Sequence, residues 1–141
     1  MNLDTDPRIG RRVRLAGLGG VVGPATFMAC WGVGAVVARH DLSPSADAIS
    51  RLAAAGAETR WLMTTGFITF GIGVGTLAFA VRRVLDGTAW IAVGLTALAT
   101  TLVAAAPLDV SERLDDVHGM LAAAGYITLV AAPILAAAPL G

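Results

Sequence analysis

The chain has 141 residues, 56% of them hydrophobic and 14% charged, and its ten basic and ten acidic residues cancel to a net charge of zero. A soluble domain carries about 25% charged residues, so this composition excludes an ordinary soluble domain and points to membrane spans. The zero balance gives no basis for nucleic-acid binding, and Cys30, the only cysteine, excludes an intrachain disulfide.

In chain order, residues 1–14 form a tail bearing Arg8, Arg11, Arg12 and Arg14. All basic residues are arginine, which reflects compositional bias beside so much alanine, glycine and valine. The uncharged run Leu15–Ala38 follows, and crossing a bilayer as helix takes roughly 20 mostly apolar residues. Its ending, Val36-Val37-Ala38, would suit a signal peptidase. The run is longer than a signal core and more spans follow, so it is expected to be retained. Cys30 reads as a small apolar group within it.

The Arg39–Trp61 stretch holds six of the twenty charged residues, together with His40. Ser43 suits an N-cap, Pro44 the first helical position, and Asp47 the positive end of a helix dipole. With Gly56 as a stop, these residues predict a short amphipathic surface helix over 44–55, of about three turns. Ile49, Leu52 and Ala53 share its apolar face, Arg51 points away, and Trp61 stands where an interfacial anchor belongs.

The second span is Trp61–Val81, and Arg82 and Arg83 follow it; the third runs over about Thr88–Leu108. The Asp109–His118 connector comes next, with Asp109 as a helix cap and Glu112 completing a capping box. Asp115 and His118, three apart, are expected to face the same way, so that the carboxylate orients the imidazole. The fourth span covers about Gly119–Leu140.

The expected fold class is all-α: an integral membrane four-helix bundle with a short amphipathic surface helix between the first two spans. Residues 15–141 form one transmembrane domain, with spans over 15–38, 61–81, 88–108 and 119–140. The runs are too long for strands and lack period-2 alternation. Arginine placement puts both termini and the Arg82–Gly87 turn in the cytoplasm and both longer connectors outside. Gly19 with Gly23, and Gly71 with Gly75, form small-residue strips for close helix approach. Thr65, Thr69, Thr96 and Thr100 are expected to return their hydroxyls to their own helices, with bonding between helices as the alternative.

No Asp, Glu, Arg or His interrupts a span interior, which counts against a carboxylate-driven pump and against haem held by mid-membrane histidines. Polar chemistry is therefore expected at a membrane surface. The candidate extracytoplasmic binding site comprises His40, Asp41, Asp47, Ser50, Arg51, Asp109, Asp115 and His118. The plainer reading, a solvated rim with helix caps, ranks above a ligand or partner site, and that above catalysis. No spacing identifies a metal site or a nucleophile, so neither a metal nor another cofactor is expected.

Ser43-Pro44, Asp47-Ala-Ile-Ser50-Arg-Leu52, Trp61-Leu-Met63, Gly66-Phe67, Pro107-Leu-Asp109 and His118-Gly119 follow one another in an order that resembles a bacterial family of polytopic membrane proteins. That family is catalogued as domain of unknown function 998. The resemblance covers most of residues 20–130 and departs from the family at Ala106, where a phenylalanine is often found. It implies a multi-helix membrane protein and carries no activity or catalytic residues. Family members are typically longer, with further spans, so a short or truncated member is expected.

Function is ranked accordingly. A non-enzymatic accessory or interaction subunit of an assembly in the bacterial inner membrane leads. It would contact the lipid bilayer, and a protein partner or second copy through its small-residue faces. A membrane enzyme or lipid-binding protein using the outer acidic and histidine surface is second; it requires an apolar groove between spans beneath the 44–55 segment. A small oligomeric transporter is third.

Overall fold

The computed structural model describes residues 7–39 and 49–137. The described chain is all-helical: α1 (Pro7–Val37), a 3-10 turn (Ile49–Ala53), α2 (Arg60–Val84), α3 (Ala89–Ala105) and α4 (Glu112–Ala137). Helices α1, α2 and α4 are long and apolar enough to cross a membrane, while α3 has 17 residues. At 1.5 Å per residue, α3 reaches about 25 Å. It stops short of Leu108 because Pro107 disfavours helical geometry at Ala106, whose φ and ψ are −117° and 72°.

Each helix packs antiparallel against its neighbours in sequence. Gly19 and Gly23 of α1 lie directly on Gly73 of α2, so close that a Cβ on Gly73 would overlap the Gly19 carbonyl. Gly71 lies similarly against Ala97 and Thr101 of α3, and Gly75 faces Ala97. Both glycine pairs thus act as small-residue contacts, with Gly73 as the partner that their spacing alone does not reveal. Between α3 and α4 the contact is polar as well as apolar. The Thr96 and Thr128 hydroxyls are 2.8 Å apart, and each also bonds to its own helix. Among the described residues, Thr65 and Thr69 bond only within α2.

The packed core lies toward the connector end. Met63, with no exposed surface, joins Leu52, Ala53, Phe67 and Val103, and Phe27, Trp31 and Leu121 pack around them. The 3-10 turn plugs this end of the bundle, with Leu52 and Ala53 buried and Arg51 exposed as its facing pattern requires. Residues 49–53 form a single 3-10 turn where a longer α-helix was expected. The Thr59 hydroxyl donates to the Leu52 carbonyl at 2.8 Å and holds the turn onto the start of α2. Ser43, Pro44 and Asp47, which carried the helix-start expectation, lie outside the described residues.

The periphery is apolar: Leu18, Val21, Ile72, Leu98, Ile127, Val130 and Ile134 are all exposed. Such a continuous belt fits a membrane protein in contact with lipid. Trp61 is 72% exposed at the connector end, with the Arg60 guanidinium 5.0 Å from its ring centre. That is the arrangement of an interfacial anchor.

Candidate functional site

The two longer connectors meet at one end of the bundle. The Ala55 N–H donates to the Leu108 carbonyl at 2.9 Å, and Arg51 lies 3.4 Å from the Asp109 carboxylate. Both side chains of this ion pair are half exposed, so it contributes well under about 1 kcal/mol. Of the eight expected site residues, Ser50, Arg51, Asp109, Asp115 and His118 gather here. His40, Asp41 and Asp47 lie outside the described residues.

Two local expectations are corrected. Helix α4 is capped by Ser111, whose Oγ accepts the Leu114 N–H at 3.3 Å, and not by Asp109 with Glu112. Asp109 instead takes the left-handed conformation, with φ 63°, and its N–H donates to Asp115 Oδ1 at 3.0 Å. Asp115 therefore braces the turn before α4 and is not paired with His118. The residue that follows Pro107-Leu108 must reverse direction there, and the αL position exposes an N–H that the nearest carboxylate satisfies.

His118 is 4% exposed and is the one buried residue of α4. Its Nδ1 lies 2.7 Å from the Ala106 carbonyl. A carbonyl only accepts, so Nδ1 carries a proton and donates it. The Ala106 carbonyl belongs to the unfinished end of α3, where helical partners have run out. His118 thus clasps the end of α3 to the start of α4. Nε2 is buried with no partner among the described residues. No group of three or more His, Cys, Asp or Glu side chains among the described residues could hold a metal ion.

Beneath the 3-10 turn, an apolar cleft of about 190 Å³ runs between α1 and α4, which share no extended interface. Phe67 and Phe70 of α2 and Thr96, Thr100 and Val103 of α3 form its floor. Phe27 borders it on α1, and Leu121, Gly125, Tyr126 and Leu129 border it on α4. Ile49 and Ser50 close its connector end, so among the described residues Ser50 is the one expected site residue that reaches it. From Leu121 to Leu129 the cleft extends about 12 Å along the helix axis. Three of the chain's four phenylalanines line it. Phe27 packs against Phe67 and Phe70 with ring centres 5.3 and 5.5 Å apart. The second functional reading required a groove beneath the 44–55 segment, but its lining was not assigned from the sequence, although Leu121, Gly125 and Leu129 recur at the i, i+4, i+8 spacing of one helix face.

A family model described as "Protein of unknown function (DUF998)" matches residues 21–141. The chain belongs to the DUF998 family. The match runs from within α1 through α4, so the connector end and the cleft both lie within the DUF998 region. No curated protein and no solved structure matches the chain.

Proposed function

We propose that this DUF998 chain is a multi-pass, non-catalytic subunit of a cell-membrane assembly, oriented with its arginine-bearing end in the cytoplasm. It binds a membrane helix of a partner, or of a second copy, along the faces that α1 and α4 leave uncovered. The observation that carries the reading is α4 itself. Its most apolar stretch has no buried residue, and Met120, Tyr126, Ile127, Val130 and Ile134 stand exposed along it. In lipid, helix association depends on van der Waals packing, for which this uncovered face offers apolar side chains. Extraction from native membranes in mild detergent should recover a stoichiometric partner or a homo-oligomer. A lone monomer under those conditions removes the reading.

The cleft favours a second reading, in which the protein holds an amphiphile with its hydrocarbon tail beside Phe27 and Phe67 and its polar head near Ser50 and Arg51. Concave, mostly apolar sites with a few polar groups at one end suit such ligands. Ala122→Phe, which narrows the cleft from α4, separates the two readings. Loss of a co-purifying lipid with the protein complex intact supports the amphiphile; loss of the complex with lipid retained supports the partner helix.

A further inference from the structure

We propose that the opposite end of the molecule binds an anionic phospholipid, with one acyl chain along the α1–α2 seam and the phosphate between Arg11 and Arg12 of α1 and Arg83 of α2. This inference is independent of the connector end and of the α1–α4 cleft.

A shallow groove of about 320 Å³ follows the outer side of the α1–α2 seam. Gly19, Gly23 and Gly73 form its floor, and Leu15, Val22 and Ile72 its walls. Thr26, Thr69 and Thr76 also line it, but each hydroxyl donates to a carbonyl of its own helix at 2.7–3.0 Å. The groove therefore presents a surface with its polar atoms already satisfied, which suits hydrocarbon.

Helix periodicity carries the same stripe beyond the groove. Arg12 and Arg11 lie three and four residues before Leu15, and Arg83 lies seven after Thr76. The antiparallel register that sets Gly19 against Thr76 and Gly23 against Gly73 brings Arg12 level with Arg83. All three arginines are exposed. The Arg83 guanidinium sits 5.1 Å from the ring centre of Phe79, one turn beyond Thr76, which holds the charge above apolar surface.

Charge fixes the choice of occupant. Arg8, Arg11, Arg12, Arg14, Arg82 and Arg83 belong to this end, and Asp86 is its one carboxylate among the described residues. A phosphodiester without a compensating headgroup cation complements such a cluster, and arginine meets phosphate with paired hydrogen bonds. Clusters of basic residues beside a membrane helix attract anionic lipid with a free energy worth about fivefold in affinity per charge.

Native mass spectrometry of the purified full chain, titrated with phosphatidylglycerol or phosphatidylcholine, tests the proposal. Phosphatidylglycerol should be retained preferentially. Arg11→Gln, Arg12→Gln and Arg83→Gln together should weaken its retention by about fivefold for each charge removed. Arg113→Gln, at the other end, should leave it unchanged. Ile72→Trp, which obstructs the groove and spares every arginine, should also weaken retention, and soluble glycerol phosphate should not displace the lipid. Equal retention of the two lipids, or a triple variant that binds as the parent does, overturns the proposal. An Ile72→Trp variant with undiminished binding, or displacement by glycerol phosphate, also overturns it, because the groove would then play no part.

Discussion

Helices α1 and α4 are both flanking helices, yet different chemistry attaches each to the central pair. On one side, α1 meets α2 through glycines, backbone against backbone, with Gly73 pressed between Gly19 and Gly23. On the other, α4 is held to α3 by polar clasps, His118 to the Ala106 carbonyl and Thr128 to Thr96, with Gly125 against Ala99 between them. The first seam depends on the absence of side chains. The second depends on particular atoms meeting. A glycine seam should therefore fail abruptly, and a clasped seam in increments.

The sharpest way to break the contrast is Gly73→Leu. Its Cβ would collide with backbone, not with a movable side chain, so a loss of at least about 3 kcal/mol is expected. Unfolding in mixed micelles followed by circular dichroism would measure it. His118→Ala should cost about 1–3 kcal/mol in the same assay, because it strands the buried Ala106 carbonyl. His118→Gln, which can still donate, should recover part of that loss.

Smaller effects sharpen the comparison. Thr96→Val removes one bond between helices and should cost about 0.6 kcal/mol, within the range measured for such bonds in membranes. A double-mutant cycle with Thr128→Val would isolate the coupling. Arg51→Ala should change stability by no more than about 0.5 kcal/mol, since its partner is 3.4 Å away and both are half exposed. A larger loss there would mean that the junction of the two connectors holds the plug in place.

The helices were legible in the sequence because uncharged runs of this length have few alternatives. The core of the connector plug was legible too, since Leu52 and Ala53 share a face and Arg51 does not. Less could be said about which helix faces meet. In lipid, an apolar residue is at home both inside and outside, so hydrophobicity no longer marks the interior. That is why Phe27 could not be assigned to a cleft, nor Gly73 to a seam, from spacing alone. At the candidate site, the pairing of Asp115 with His118 followed from helix spacing. Helix ends intervened: the freed Ala106 carbonyl took the imidazole, and the turned Asp109 N–H took the carboxylate.

Cys30 gives the glycine seam a chemical clock. Its side chain is buried, with its Cβ about 3.0 Å from where a Cβ on Gly66 would lie. As the chain's sole thiol, it would be alkylated only when α1 lifts from α2. Its modification rate would report how often that seam opens, without any engineered label, in lipid and in detergent alike.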